Sequence, residues 1–186
     1  VETGMDPLYA AIFKKLPPVS GVTRRTEIIK GVDGNEIRLY IHEPEERKGL
    51  LPGILHTHGG AMAFFTACDP QYVRWRDELA ASGLCVIGIE FRNAAGKLGN
   101  HPFPAGLGDC ASGAQWAYQN REALGISNLV ISGESGGGNL CIATALKANQ
   151  EGWVDQIAGV YACCPMLSGT YYDDPPPPEL ASLIEN

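Results

Sequence analysis

Hydrophobic and polar residues follow two different patterns along this chain. Between residues 24 and 42 apolar and polar positions alternate around the sequence Gly31-Val32-Asp33-Gly34, which predicts two strands joined by a hairpin turn. Beyond residue 50 the apolar runs are short and continuous, and segments with helical spacing separate them. Continuous apolar strands are typical of parallel sheets buried on both faces. The pattern therefore predicts an α/β fold with a mostly parallel sheet and helices on both faces.

Turn and capping residues bound the predicted elements. Strands are expected over 24–30, 36–42, 51–57, 84–91, 128–132 and 157–164. Helices are expected over 6–16, 70–82, 105–122 and 138–150. The first of these helices is expected to be capped by Asp6 and to begin at Pro7. Residues 170–178 contain four consecutive prolines and are expected to be extended, while residues 179–186 have the pattern of a helix that has just begun.

The segment with the most chemical information is Gly133-Glu134-Ser135-Gly136-Gly137, which stands between a predicted strand and a predicted helix. A strand, a tight glycine turn and a helix form the setting in which a serine becomes a nucleophile. The glycines permit a turn in which flanking Cβ atoms would clash, and the serine is held in a strained conformation. The positive end of the helix dipole then lies near the developing oxyanion. The alternative interpretation is a flexible glycine loop.

A second glycine motif, His58-Gly59-Gly60-Ala61, directly follows the predicted strand 51–57. In hydrolases of this architecture, a histidine-glycine-glycine turn after the third strand supplies half of the oxyanion hole. Two such motifs in this order, each at the end of a strand, favour a hydrolase over a chance match.

Together with the strand order, these motifs resemble the α/β-hydrolase fold, and within it the hormone-sensitive-lipase-like group of carboxylesterases. Three further stretches are similar to that group: Phe91-Arg92-Asn93-Ala94, the segment His101-Pro102-Phe103-Pro104-Ala105 with Asp109, and the run from Gly133 to Leu140. The resemblance implies that residues 21–186 form the N-terminal part of an α/β-hydrolase domain, incomplete at its C-terminus. Residues 1–20 are then expected to form an N-terminal helix or cap segment.

The resemblance also implies a reaction. Ser135 would be the nucleophile of a serine carboxylesterase that hydrolyses lactones or esters with small or medium acyl groups through an acyl-enzyme. Backbone N–H groups of Gly59 or Gly60, Ala61 and Gly136 would form the oxyanion hole. The supporting residues would be His58, Gly133, Glu134 and Gly137. Ala61 stands in place of the usual third glycine, which is acceptable if its φ is negative. No metal or organic cofactor is implied.

The rest of the triad does not follow the nucleophile. In this fold the triad order is Ser, Asp or Glu, His, but all four histidines precede Ser135: His42, His56, His58 and His101. His58 is the strongest candidate for a base among them, although a local hydrogen bond is its commoner role. We expect His56 in the sheet, His101 in a loop and His42 in solvent. A missing C-terminal half, covalent or a second chain, is expected to carry the acid and the histidine.

Three charged residues near the motifs are expected to be structural. Asp109 lies at a helix N-terminus, where its charge suits the helix dipole. Arg92 is expected to pair with Asp109 or with Glu90, and Glu134 to accept hydrogen bonds from loop backbone. The alternative function from a different class is a non-catalytic α/β-hydrolase-like protein that binds a small ligand, for which a missing base would be expected.

Composition disfavours two classes of partner, and the resemblance implies that the partner is instead a small-molecule ester. The chain has 186 residues, of which 45% are hydrophobic, and a net charge of −7, so nucleic acid and anionic membranes are disfavoured. No apolar stretch approaches the ~18 residues of a membrane span, and the first residues lack the features of a signal peptide. The six cysteines form no C-x-x-C pair and are expected to be reduced, apolar and mostly buried, which favours the cytoplasm.

Overall fold

The computed structural model describes residues 2–13 and 15–167, and a six-stranded sheet forms its centre. The strands are β1 (Val22–Lys30), β2 (Glu36–Pro44), β3 (Leu51–Thr57), β4 (Cys85–Ile89), β5 (Ile126–Glu134) and β6 (Gly159–Cys163), in the spatial order β1-β2-β4-β3-β5-β6. The helices are α1 (Glu2–Phe13), α2 (Pro70–Ala81), α3 (Ala105–Gln119), α4 (Arg121–Leu124) and α5 (Gly136–Glu151).

Strand direction reverses twice across this sheet, because β2 runs against both of its neighbours. β1 and β2 form an antiparallel hairpin in which Lys30 lies opposite Glu36, and β2 is also antiparallel to β4. The strands β4, β3, β5 and β6 are parallel to their neighbours. The predicted hairpin and the mostly parallel sheet are therefore confirmed.

Helices cover both faces of the sheet, and the two faces differ in chemistry. On one face Leu39 and Ile89 are fully buried, and a Cβ on Gly113 of α3 would lie only 2.5 Å from Ile89. On the other face α2 lays Arg76 along Gly88 of β4, where a Cβ would lie 2.7 Å from the guanidinium carbon. One face is therefore an apolar core, whereas the other holds a buried charged side chain.

Two predicted helices have different bounds in the structure. The first runs over Glu2–Phe13 instead of 6–16, so Pro7 lies inside the helix and not at its beginning. The helix predicted over 105–122 is divided at Asn120, whose side chain donates a hydrogen bond to the Trp116 carbonyl (2.9 Å). Such a side-chain bond competes with the helical hydrogen bonds of the backbone. The predictions for 170–178 and 179–186 lie outside the described residues.

The strand β6 forms one edge of the sheet in the described part of the chain, since it pairs only with β5. Its side chains are poorly covered: Tyr161 is 60% exposed, and Leu167, a few residues further on, is 63% exposed. An uncovered parallel strand is unusual, because parallel sheets are normally buried on both faces. In the described part of the chain, this edge therefore has no neighbouring strand on its outer side.

Candidate active site

Ser135 occupies the single residue between β5 and α5. Its backbone has φ 53° and ψ −118°, a conformation that is strained for a residue with a side chain. Hydrogen bonds hold it there: its N–H donates to the Cys163 carbonyl, and its carbonyl accepts from the N–H groups of Asn139 and Met166, all at 3.0 Å. The predicted strand–turn–helix around this serine is present in the structure.

The glycines around Ser135 are required by close backbone contacts. A Cβ on Gly133 would lie 2.3 Å from Thr57 Oγ1, and one on Gly137 would lie 2.2 Å from the Thr57 carbonyl oxygen. Neither approach is possible for a real side chain without moving β3 away from β5. Glycine at both positions therefore lets the turn lie directly against the end of β3.

Sheet register brings the two glycine motifs together. β3 and β5 are parallel neighbours, and Thr57 is paired with Gly133. The chain that follows β3 consequently lies beside the turn that follows β5, as expected at the carboxyl ends of parallel strands. A Cβ on Gly136 would be 2.8 Å from the backbone nitrogen of Ala61. The backbones of the two motifs are in direct contact.

The turn after β3 has an unusual backbone. Gly60 has φ 107°, and both Ala61 and Met62 are left-handed, with φ 54° and 59°. Ala61 therefore does not meet the condition of a negative φ: it adopts the left-handed form in a tight turn that is closed by hydrogen bonds from Ala63 and Phe64 to the Gly60 carbonyl (both 2.9 Å). Within the described residues, the N–H groups of Gly60, Ala61 and Gly136 donate no hydrogen bond.

The segment after β4 fixes this turn from outside. The Ala94 N–H donates to the Met62 carbonyl (2.8 Å), and the fully buried Asn93 donates from Nδ2 to the Phe65 carbonyl (2.9 Å). These bonds satisfy carbonyl groups that the irregular turn would otherwise leave unpaired. No motif in the sequence indicated that Asn93 would anchor this turn.

Glu134 joins the two motifs through its side chain. Its Oε1 accepts a hydrogen bond from the Gly59 N–H (2.8 Å), and its Oε2 lies 3.2 Å from Nε2 of the buried His56. Burial alone would raise the pKa of the Glu134 carboxyl, but the hydrogen bonds from His56 and Gly59 outweigh it, so the pKa is lowered. Glu134 therefore accepts a hydrogen bond from loop backbone, as expected. Its second partner, His56, was not expected from the sequence.

His58 is fully buried, and its contacts are those of a structural residue. Its Nδ1 donates to the Gly59 carbonyl (2.7 Å), and its ring is stacked on Phe91 with centroids 4.3 Å apart. Burial, aided by the nearby His56, lowers the pKa of His58 to about 4 despite the hydrogen bond to Gly59. The ring is therefore neutral at pH 7, and the local structural role is the one the geometry supports.

The prediction that His42 is solvated is wrong. His42 is buried between Asp77 and Arg76 of α2: its Nδ1 donates to Asp77 Oδ1 (2.8 Å), and its Nε2 accepts from Arg76 Nε (3.2 Å). Burial and the Arg76 charge lower the pKa of His42 to about 4, although Asp77 opposes them. The alternation of β2 puts His42 on the face that α2 covers, which a single strand's sequence does not reveal.

His101 lies in a loop, as expected, and its Nε2 is 3.2 Å from the Leu98 carbonyl oxygen.

Arg92 has two carboxylate partners. It binds Asp109 through Nε (2.9 Å) and Nη2 (2.9 Å) and also reaches Asp33 in the hairpin turn (2.7 Å). Of the two partners expected for it, Asp109 is present, whereas Glu90 accepts a hydrogen bond from the Ala67 N–H instead (2.9 Å). Asp109 is fully buried and ties the hairpin to the loop after β4.

The cysteines divide into two groups. Cys85, Cys110 and Cys141 are buried, whereas Cys68, Cys163 and Cys164 are exposed in the described structure, although Cys163 and Cys164 belong to an apolar segment. All six are free thiols. Cys163 lies at the edge strand β6, where no described element covers it.

A cavity of about 260 Å³ adjoins the nucleophile turn. It lies between α2 and the ends of β5 and β6, and its lining includes Tyr72, Trp75, Glu134, Tyr161 and Cys163. Its walls are mainly apolar side chains, which suits an uncharged organic molecule.

Within residues 2–13 and 15–167, no cluster of three or more His, Cys, Asp or Glu side chains is arranged to hold a metal ion. No helix in the described ranges is long and apolar enough to cross a membrane.

Comparison with known proteins agrees with this geometry. A family model described as alpha/beta hydrolase fold matches residues 54–180. The chain belongs to the α/β-hydrolase fold family. Within that family, the resemblance to the hormone-sensitive-lipase-like carboxylesterase group expected from the motifs is confirmed by the relatives of this chain.

Three relatives illustrate the similarity. Brefeldin A esterase, described as a bacterial homologue of human hormone-sensitive lipase, is 44% identical with a TM-score of 0.90, covering 100% of this chain and 52% of that one. Tuliposide A-converting enzyme 2 of Tulipa gesneriana is 26% identical over 158 residues, which are 78% of this chain and 40% of the enzyme. Hormone-sensitive lipase of Mus musculus is 29% identical over 154 residues, 81% of this chain and 19% of the lipase. This chain therefore spans about half the length of the solved esterase.

Proposed function

We propose that this protein is a serine carboxylesterase with Ser135 as its nucleophile. One observation carries the proposal: Ser135 stands on a strained turn directly beside Ala61, and the N–H groups of Gly60, Ala61 and Gly136 donate no hydrogen bond within the described residues. Unpaired N–H groups next to a nucleophile are suited to bind a negatively charged oxygen.

The proposed reaction forms and breaks one acyl-enzyme. Ser135 Oγ attacks the ester carbonyl carbon while its proton passes to a base, and the carbonyl electrons move onto oxygen. The N–H groups of Gly60 or Gly59, Ala61 and Gly136 hold that oxyanion until it collapses and the alcohol leaves with the proton from the base. Water then attacks the acyl-enzyme, which releases the carboxylic acid and restores Ser135. In relatives of this architecture the first N–H comes from the turn after the third strand. Here the Gly59 N–H is bound to Glu134, so Gly60 is the better donor.

The base and acid are proposed to come from a segment outside the described residues. His58 does not serve as the base in this proposal, because it is fully buried and its Nδ1 is bonded to the Gly59 carbonyl. The exposed edge at β6 adjoins the nucleophile turn, since the Cys163 carbonyl accepts from the Ser135 N–H. Strands that pair with this edge, covalent or from a second chain, would bring further residues to the same end of the sheet.

The substrate is proposed to be a neutral lactone or an ester with a small or medium acyl group. The mainly apolar cavity of about 260 Å³ beside the turn supports a small uncharged molecule over a long acyl chain. The cytoplasm stays our expectation for the compartment, on the basis of cysteine usage alone.

A phosphonate ester that mimics the tetrahedral intermediate tests this proposal in the intact protein. We expect one covalent adduct, located on the peptide that contains Ser135, and none in Ser135→Ala. Ser127→Ala, on the same strand but exposed at its start, is the matched control and is expected to be labelled at the normal rate. Labelling at another residue, or equal labelling of Ser135→Ala, contradicts the proposed nucleophile.

The second candidate function is a non-catalytic protein that binds a small ligand in the same cavity. This alternative is favoured by the burial of His58 and by its hydrogen bond to the Gly59 carbonyl, because His58 is the strongest candidate for a base among the histidines of the chain. An intact protein that binds a non-hydrolysable ester analogue, takes up no phosphonate and turns over no ester would support this alternative.

A further inference from the structure

A second cavity, of about 200 Å³, lies between the hairpin strands and α2. Arg24 is paired with His42 and Thr26 with Tyr40 across β1 and β2, so these four side chains share one face of the sheet. Cys68 and Arg76 enclose the cavity from the side of α2. None of its described lining residues belongs to β5 or α5, so it is separate from the nucleophile turn.

The polar lining of this cavity consists mainly of donors and cations. Arg24 and Arg76 are guanidinium groups, and Thr26 and Tyr40 present hydroxyls that can donate. Among the described residues no aspartate or glutamate lines it. This is notable in a chain whose net charge is −7. These donors favour an anion, and the positive charge that attracts it comes from Arg76, because Arg24 is paired with Asp77.

The carboxylate of Asp77, next to Arg76 in the chain, is already hydrogen-bonded. Asp77 lies behind Arg24, where its Oδ1 accepts from Arg24 Nε and from His42 Nδ1, both at 2.8 Å, and its Oδ2 accepts from Arg24 Nη2 at 2.5 Å. The negative charge of Asp77 is therefore compensated by Arg24, and one of its oxygens also accepts the hydrogen bond of the neutral His42. These bonds leave Arg76 without a carboxylate of its own.

Arg76 is a buried cation that forms no ion pair with a described carboxylate. It is 1% exposed, donates from Nε to His42 Nε2 (3.2 Å) and from Nη2 to the Ala67 carbonyl (2.8 Å), and its Nη1 has no acceptor. Burial lowers the pKa of Arg76 to about 10, so the group is still charged at neutral pH. Buried charges are costly unless an opposite charge compensates them.

We propose that this cavity binds a small oxyanion, the phosphate, sulfate or carboxylate group of a small molecule, with Arg76 as its counter-charge. Arg76 lines the cavity, and its Nη1, which has no acceptor among the described residues, is the donor available to the ion. The hydroxyls of Tyr40 and Thr26 donate the remaining hydrogen bonds. The site is independent of ester hydrolysis at Ser135.

The exposed thiol of Cys68 lines the cavity and provides a reporter for the test. In the intact protein, the rate at which iodoacetamide alkylates Cys68 is followed by peptide mass spectrometry as inorganic phosphate increases, with sodium chloride keeping the ionic strength constant. N-acetylcysteine in the same tube reports the intrinsic rate of the reagent. We expect saturable protection, with the Cys68 rate about tenfold lower at ten times the Kd for phosphate.

Parallel titrations with sulfate and with acetate identify the preferred group. Protection by phosphate and sulfate alone indicates a tetrahedral oxyanion, and protection by acetate alone indicates a carboxylate. A Cys68 rate that no anion changes in a saturable way overturns the proposal.

Variants assign the effect to the cavity. Arg76→Gln is expected to abolish protection, and Tyr40→Phe, which keeps the ring packing, is expected to raise the Kd about three- to tenfold through loss of one hydrogen bond. Arg121→Gln on α4 removes the same charge outside the cavity and is expected to leave the Kd unchanged. If Arg76→Gln does not fold, Tyr40→Phe still tests the proposal.

Protection that survives Arg76→Gln, or a Kd that rises equally in Tyr40→Phe and Arg121→Gln, overturns the proposal. Phosphonate labelling of Ser135 in the same samples reports separately on the proposed esterase.

Discussion

Glu134 and Gly59 are joined by a hydrogen bond of 2.8 Å from the Gly59 N–H to Glu134 Oε1, and this bond links the turn after β5 to the turn after β3. Because Glu134 directly precedes Ser135, the spacing between the proposed nucleophile and the proposed oxyanion donors depends on one side chain. The second carboxylate oxygen is held by His56 (3.2 Å), so the side chain has little freedom to move.

We expect Glu134→Ala to lower the free energy of unfolding of the intact protein by about 1–2 kcal/mol, because the Gly59 N–H and His56 lose a charged acceptor. Urea unfolding measures this change. Glu36→Ala, which removes an exposed partner of Lys30 (3.4 Å), is the control and is expected to change stability by less than about 0.5 kcal/mol. Equal effects of the two substitutions would show that Glu134 is not a structural link.

Gly137→Ala is expected to destabilise the intact protein by about 1–3 kcal/mol or more, since the new Cβ meets backbone and not a flexible side chain. The clash is with the Thr57 carbonyl oxygen at 2.2 Å. Phosphonate labelling of Ser135 is expected to slow at the same time, because β3 and β5 must separate. Gly4→Ala, with no atom within 4 Å of the added Cβ, is the matched control. Unchanged stability and labelling in Gly137→Ala would contradict the close packing.

Stability is expected to fall as the pH drops from about 6.5 towards 4. The pKa values of His42 and His58 are lowered to about 4 in the folded state, so at intermediate pH the unfolded chain binds more protons than the folded one. At pH 5 this difference amounts to about 2 kcal/mol for each histidine relative to pH 7. Urea midpoints of the intact protein at pH 7 and pH 5 test the effect.

His58→Asn removes one of these titrating groups and is expected to give a shallower loss between pH 7 and pH 5. An identical pH dependence in the variant and the parent protein would mean that His58 is not the buried neutral group that the structure indicates.

The isolated chain of 186 residues is expected to be poorly soluble. Among the described residues β6 pairs only with β5, and Val160 and Tyr161 on it are exposed, which gives a surface that promotes association between copies. Co-expression with a segment that pairs with β6 is expected to restore solubility and esterase activity together. A soluble monomer with a single cooperative unfolding transition, measured by sedimentation and urea unfolding of the isolated chain, contradicts the prediction.

Much of the fold was accessible from local patterns. The hairpin around Gly31–Gly34, the parallel strands and the turn at Ser135 were predicted because each depends on properties of neighbouring residues: alternation, short apolar runs and glycine where a Cβ cannot fit. The sequence by itself also placed the motif His58-Gly59-Gly60-Ala61 at the end of a strand.

Only the tertiary structure decided which side chains meet across elements. His42 is buried because α2 covers its face of β2, and Arg76 lies against Gly88 of a strand that follows it in the chain. The bond between Glu134 and His56 spans 78 residues and exists because β3 and β5 are neighbours. The left-handed φ of Ala61 follows from how its loop closes and is anchored by the segment after β4. Such contacts depend on strand order and register, which no local run of residues specifies on its own.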